Sequence, residues 1–243
     1  MKQSKFTVTE NRALTRNVMQ MRLCGDTSAL TQAGQFINIK LDGLFLRRPI
    51  SVCDYDESGI TIIYKVVGVG TEQMSRLRDG SVLDVLSGLG NGFDVTKSGA
   101  RPVLIGGGVG VPPLYHLCKR LIGEGKDVSV ILGFNTADEV FYKDEFEALG
   151  ARVYVATADG TMGTRGFVTD VLKELDYDYF YTCGPMPMFR AIEGVALTSG
   201  QYSFEERMGC GFGACMGCSC KTKYGYKRIC RDGPVLEREE IVW

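Results

Sequence analysis

The sequence predicts three successive units: an antiparallel β-barrel, an α/β domain on a parallel sheet, and a small cysteine-rich unit near the C-terminal end. Three observations predict it. Up to about residue 95, short apolar alternations are broken by turn dipeptides and show no helical period. From Arg101 onward, buried strands alternate with amphipathic helices, the pattern of a parallel sheet covered on both faces. From Gln201 to Trp243 the chain is rich in Cys and Gly and too short for its own apolar core, so a metal or disulfides must staple it. The boundaries read as 1–98, 99–200 and 201–243.

Within the first unit, Met19, Met21 and Leu23 alternate, as do Ile37, Ile39 and Leu41, and again Ile60, Ile62, Tyr64 and Val66. Gly25-Asp26, Asp42-Gly43, Ser58-Gly59 and Asp79-Gly80 punctuate them, which suits a small barrel or sandwich. A short helix is expected over Thr71–Leu77. In the second unit, Val103–Ile105 is a strand that runs into the turn Gly106–Pro113. Leu114, Leu117, Cys118 and Leu121 then mark one helical face. Strands follow at Val128–Leu132, Val153–Ala156 and Tyr179–Thr182, with helices at Tyr142–Leu149, Val168–Leu175 and through Phe189, Ile192 and Ala196. Ligands of such sheets lie beyond the carboxyl ends of the strands, where both glycine turns fall.

Charge and composition remove whole classes of function. With 28 basic and 29 acidic residues the net charge is −1, so no global field recruits nucleic acid or an anionic membrane. The opening MKQSKFTVTENR has no apolar region of the secretory type, and no apolar run reaches the ~18 residues of a membrane span. A cytoplasmic protein is expected. The single histidine, His116, lies off the apolar stripe of its helix and is expected to face solvent. Ser-His or Cys-His catalysis would have to rest on it alone.

Five of the nine cysteines, Cys210, Cys215, Cys218, Cys220 and Cys230, fall within the last 34 residues. Without an export signal a metal site is the stronger reading and disulfides the weaker. Cys210, Cys215 and Cys218, with Cys230 further on, form the C-x4-C-x2-C…C arrangement of [2Fe–2S] ligands. Zinc is the main rival, but structural zinc sites usually pair two short knuckles and the second is missing here. Cys220 reads as a spare thiol. The turn at Gly106, Gly107, Gly108 and Gly110, leading into Pro112-Pro113, could admit a pyrophosphate at a helix N-terminus or could be a tight β-α turn. Cys183-Gly184-Pro185 at a second strand end favours a bound nucleotide. Leu46-Arg47-Arg48-Pro49-Ile50-Ser51 could hold a diphosphate by charge-assisted hydrogen bonds or form a solvated turn. The basic run Lys221, Lys223, Lys227, Arg228 and Arg231 is either a solvated hairpin face or charge compensation beside an anionic cluster.

Taken in order, Arg48–Ser51, Gly70-Thr71, Gly88–Phe93, Gly106–Pro113, Cys183–Pro185 and the cysteine loop resemble the ferredoxin–NADP reductase superfamily. More closely, they resemble the electron-transfer subunits of NAD-linked (class 1B) dihydroorotate dehydrogenases, across essentially the whole chain. The resemblance implies an FAD-binding barrel, a pyridine-nucleotide domain and a C-terminal [2Fe–2S] loop. Arg48, Pro49, Ile50, Ser51, Tyr64, Lys65, Val66, Gly70 and Thr71 would then hold FAD. Gly106, Gly107, Gly108, Gly110, Cys183, Gly184 and Pro185 would hold the nicotinamide nucleotide, and Cys210, Cys215, Cys218 and Cys230 would ligate the cluster. Ile50 departs from the superfamily pattern, which often has a tyrosine there. Acidic residues after the second strand of the nucleotide domain, Asp138 and Glu139, suit a free ribose hydroxyl and hence NAD over NADP.

The resemblance further implies a separate FMN-containing subunit that oxidises dihydroorotate, in a heterotetramer with two copies of each, serving pyrimidine biosynthesis. Two rivals stand beside it: an NAD(P)H-linked ferredoxin or sulfur reductase subunit of the same architecture, and a zinc-stabilised interaction protein whose glycine loops are only turns.

Overall fold

The computed structural model describes residues 1–243. Its first half comprises β1 (Lys2–Ala13), β2 (Val18–Cys24), β3 (Phe36–Lys40), β4 (Arg48–Asp56), β5 (Gly59–Lys65), the short helix α1 (Val69–Ser75) and β6 (Val82–Leu89). These six strands close into an antiparallel barrel in the order β1-β2-β5-β4-β3-β6. The alternations read from sequence face inward: Met21, Leu23, Ile37, Ile39, Ile60 and Ile62 are all fully buried in one apolar cluster. Each such side chain contributes about 1.5–3 kcal/mol relative to exposure, which offsets the cost of ordering the strands.

The second half runs β7 (Pro102–Gly107), α2 (Pro113–Gly123), β8 (Ser129–Phe134), α3 (Lys143–Ala148), β9 (Arg152–Thr157), β10 (Thr164–Arg165), α4 (Val168–Leu172), β11 (Tyr179–Cys183) and α5 (Met186–Glu193). It ends with β12 (Gly200–Ser203), β13 (Ser219–Thr222), β14 (Gly225–Arg228), α6 (Ile229–Asp232) and β15 (Val235–Glu237). A seven-stranded sheet has the order β10-β9-β8-β7-β11-β12-β15, parallel except for β15. Leu114, Leu117, Cys118 and Leu121 of α2 are buried on one face of it, as their spacing predicts. No helix is long and apolar enough to cross a membrane.

The division expected at 200/201 falls inside β12. Both ends of the cysteine-rich segment, β12 and β15, are strands of the seven-stranded sheet, because the segment has too few apolar residues to close a core alone. Cys218, Ile229, Cys230 and Leu236 instead join an apolar cluster with Phe180 and Phe189, and with Phe36 and Leu89 of the barrel.

His116 does not face solvent. Its Nδ1 lies 2.6 Å from Asp54 Oδ1 and its ring stacks on Tyr55 at 4.3 Å between centroids. The polar side of α2 packs against β4 of the barrel, a neighbour that helical periodicity alone does not reveal. Lys119 donates to the same carboxylate at 3.1 Å. Across the same seam, buried Tyr142 at φ +65° donates from its hydroxyl to Gln20 Oε1 at 3.2 Å. A left-handed conformation in a bulky residue costs about 1–3 kcal/mol and persists where surrounding contacts hold it.

Burial works against the Asp54 carboxylate, but the His116 and Lys119 hydrogen bonds outweigh it and hold its pKa below the ordinary carboxylate value. Its stabilising contribution is therefore complete above the unfolded pKa, near ~4, and is lost as acid carries the pH through the folded value. Asp54→Asn should lower stability at pH 7 by about 1–3 kcal/mol and flatten that acid-dependent loss. Urea denaturation across pH checks both, and identical midpoints at neutral pH would remove this contact from the account.

Candidate functional site

The two arginines at the start of β4 have separate fates. Arg47 turns to Asp84, with Nη2 2.6 Å from Oδ1, and donates to the carbonyls of Asp84 and Asn38 at 2.9 and 3.3 Å. Arg48 has no acidic partner and donates within the protein only to the Leu46 carbonyl. Its guanidinium stem lies over Gly70, where a Cβ would stand 2.2 Å from Nε. Arg48–Ser51 and Gly70-Thr71 are thereby brought together, and an unneutralised guanidinium there fits a diphosphate. Thr71 Oγ1 accepts from the amides of Val67 and Gly68 at 2.9 and 3.2 Å, so its hydroxyl shapes the turn. Ile50 is half-buried and packs on the barrel core.

Tyr64 behaves differently from an open ligand contact. Its ring is buried in the barrel and its hydroxyl donates to Asn11 Oδ1 at 3.1 Å, so only its backbone is left for a ligand. Lys65 and Val66, half-buried at the end of β5, continue toward the Gly68–Thr71 turn.

The two glycine turns of the α/β domain also meet. β7 and β11 are parallel neighbours with Cys183 in register with Gly106. A Cβ on Gly110 would lie 2.2 Å from the Cys183 carbonyl oxygen, and one on Gly107 would lie 2.6 Å from Met188 Sδ. Only glycine permits that approach. The two turns so packed lie at the carboxyl ends of β7 and β11, where ligands of such sheets bind, with Pro113 opening α2 beside them. Burial pushes the Cys183 thiol up to about 12, against a hydrogen bond with Ser203, so it stays neutral. Glu139 Oε2 accepts from Asn135 N and Nδ2 at 3.1 and 2.8 Å, which holds an acidic loop at the end of β8.

The cysteine loop 210–218 winds through left-handed Gly211, Gly213 and Met216, at φ +79°, +93° and +61°. That path turns the amides of Phe212, Ala214 and Cys215 onto Cys210 Sγ, at 3.5, 3.2 and 3.4 Å. Burial opposes ionisation of Cys210, but these donors and the Cys215 thiol bring it down to about 6. Burial, then the neighbouring Cys218 thiol, push Cys230 up to about 12. The Cys215 amide donates to Cys210 Sγ and the Cys230 amide to Cys218 Sγ, each at 3.4 Å, so the four cysteines lie as two neighbouring pairs, and no three of them converge on one point. Two neighbouring pairs of cysteines, with amides aimed at sulfur, fit the four-cysteine ligand set of a two-iron centre, which would take each sulfur as thiolate.

Part of the basic run clasps this loop. Arg228 donates to the Gly213 carbonyl at 2.8 Å and pairs with Asp232, while Arg231 packs over Gly213. Lys227 pairs with Glu240. One contact was invisible in the sequence: Asn38 Nδ2 of β3 donates to the Cys210 carbonyl at 3.3 Å. An asparagine between two isoleucines in a strand gives no such signal.

Two outcomes follow for ligand content. Cys210→Ser, Cys215→Ser, Cys218→Ser and Cys230→Ser should each lower iron and sulfide, whereas Cys220→Ser should leave both unchanged; iron retained in the first four would unseat this ligand set. Arg48→Ala should weaken FAD by about 1.5–3 kcal/mol, roughly ten- to a hundredfold. Arg47→Ala should instead lower barrel stability, and flavin titration beside thermal melting separates the two.

Comparison with known proteins agrees with this geometry. Residues 205–242 match the model of the iron–sulfur cluster binding domain of dihydroorotate dehydrogenase B, and residues 104–194 match an oxidoreductase NAD-binding domain. The chain is 43% identical over 256 residues to the dihydroorotate dehydrogenase B (NAD(+)) electron transfer subunit of Geobacillus sp. (strain WCH70), covering 100% of this chain and 99% of that one. It is 45% identical over 258 residues to the subunit of the same name from Fusobacterium nucleatum, with 99% of each covered. Among solved structures it superposes on an NADH-dependent reduced ferredoxin-NADP oxidoreductase with a TM-score of 0.90, at 28% identity, covering 98% of this chain and 90% of the other. A ferredoxin NADP+ reductase from Neisseria gonorrhoeae, 18% identical with a TM-score of 0.69, covering 81% of this chain and 92% of its own, shares the fold. Barrel, paired glycine turns and cysteine loop thus lie in one chain matched end to end by these subunits, and the protein belongs to the family of dihydroorotate dehydrogenase B (NAD(+)) electron transfer subunits.

Proposed function

We propose that this chain carries electrons from a dihydroorotate-oxidising, FMN-containing catalytic subunit through a [2Fe–2S] cluster and FAD to NAD+, in pyrimidine biosynthesis. The observation that supports it most is the loop of paired thiols seated on β3, the strand that neighbours Arg48–Ser51. When bound, NAD+ takes a hydride, FAD exchanges electrons singly or in pairs, and the cluster passes them one at a time. In this reading 1–98 form the flavin unit, 99–200 with the added strands the nucleotide unit, and 201–243 the cluster unit.

The chain's own residues bind and position. Arg48 holds the flavin diphosphate against the Gly70-Thr71 turn, with Pro49, Ile50, Ser51, Lys65 and Val66 lining the strands beside it. Gly106, Gly107, Gly108 and Gly110 admit the nicotinamide nucleotide beside Gly184 and Pro185, and the neutral Cys183 thiol keeps its proton at Sγ. Asp138 and Glu139 present carboxylates that disfavour a ribose phosphate, which supports NAD over NADP. Cys210, Cys215, Cys218 and Cys230 hold the cluster, and no side chain has to move a proton. That role suits a chain whose one histidine is spent on the Asp54 seam.

The assembly we propose is a heterotetramer with two copies of each subunit, located in the cytoplasm. A second reading, an NADH-linked ferredoxin reductase subunit, draws on the 0.90 superposition above. Co-purification separates them: a dihydroorotate-oxidising FMN partner supports the first, a larger iron–sulfur partner the second. The iron–sulfur family match replaces the zinc-stabilised interaction protein.

NADH should bleach both flavin and cluster absorbance of the purified protein. Gly110→Ala, whose added methyl would meet the Cys183 carbonyl at 2.2 Å, should lose most NADH-dependent ferricyanide reduction while keeping FAD and iron. Unchanged NADH turnover in that variant would contradict the placement of the nucleotide.

A further inference from the structure

Asn38 is 1% exposed, between Ile37 and Ile39, both fully buried. A strand position so deeply covered normally takes an apolar side chain, because a buried amide is retained only where its hydrogen bonds are met. Here half are met. Nδ2 donates to the Cys210 carbonyl, 172 residues away in sequence, and Oδ1 has no partner inside the protein. The fit is close: a Cβ on Gly211 would come within 2.3 Å of Asn38 Nδ2, so the loop passes directly over this amide.

The backbone of Asn38 faces the other candidate site. It pairs with Pro49 of β4, which has no N–H to offer, and its carbonyl accepts instead from Arg47, the neighbour of Arg48. One residue therefore contacts the cluster loop through its side chain and the flavin strand through its main chain. The unused acceptor Oδ1 argues against local satisfaction as the reason for an amide here.

We infer that Asn38 is a positioning residue for electron transfer between flavin and cluster, its amide fixing the Cys210 end of the loop at a set separation from the Arg48–Ser51 strand. The inference rests on the proposed function, since it presumes that both cofactors bind. Nothing in it requires Asn38 to touch a reacting atom or to change protonation. Leucine nearly matches asparagine in shape without its hydrogen bonds, so Asn38→Leu removes the tether and leaves a filled site.

The test uses the full chain loaded with FAD and cluster, mixed with NADH in a stopped-flow spectrometer that reads flavin and cluster bands separately. Asn38→Leu should leave flavin reduction by NADH unchanged and slow cluster reduction measurably, by more than about twofold, because the Cys210 end of the loop loses its fixed separation from the Arg48–Ser51 strand. The electron paramagnetic resonance spectrum of the dithionite-reduced cluster should shift as well, a readout independent of turnover. Asn38→Ala removes the same donor without added bulk, so the pair separates loss of the tether from steric damage. Loss of cluster from both variants with FAD retained supports the tether; cluster reduction within twofold of the parent in both, with an unaltered resonance spectrum, overturns it. A parent protein without iron or flavin would defeat the proposed function instead, so the two failures are distinguishable.

Discussion

The cluster segment is held at both ends by the edge of the parallel sheet. β12 leads into it and β15 leads out, paired antiparallel to each other beside β11. A stretch of about thirty residues with few apolar side chains would not fold unaided. Clamped in this way, it borrows the apolar cluster beneath α5 and the barrel edge, and Cys218 and Cys230 are buried by that packing. Without the two strands the thiols would have no shared frame, and without the shared core the strands would have nothing to cover.

Charge is distributed with the same economy. Arginines adjacent in sequence divide their work: Arg47, just before β4, is committed to Asp84, and Arg48, its first residue, is left without an acid. In the cysteine loop, backbone amides stabilise negative sulfur where side-chain cations would crowd. The nearby arginines act one layer out, on the Gly213 carbonyl and on the loop's packing. A fixed arrangement of dipoles needs little rearrangement when the charge on the site changes, which suits a centre that gains and loses electrons.

The barrel and the α/β domain meet along the Asp54–His116–Lys119 and Gln20–Tyr142 contacts. The seam also involves the segment that joins β8 to α3, the same stretch that carries Asp138 and Glu139. The strained Tyr142 therefore anchors one end of the acidic loop to the barrel. The acidic loop and the barrel are connected through packed side chains as well as through the chain.

The sequence alone determined the fold class, the alternating inward faces of the barrel, the α2 stripe and the C-x4-C-x2-C loop, because each is written in local spacing: period two, period 3.6, or ligand separation. Glycines at strand ends were legible for the same reason. Tertiary structure alone decided that His116 is enclosed, that Arg48 rather than Arg47 is the open cation, and that Tyr64 turns inward. It also decided that the cysteine segment shares the sheet of its neighbour and that Asn38 reaches Cys210. Each depends on which surface a side chain meets across distant elements, and a spacing rule carries no information about that neighbour.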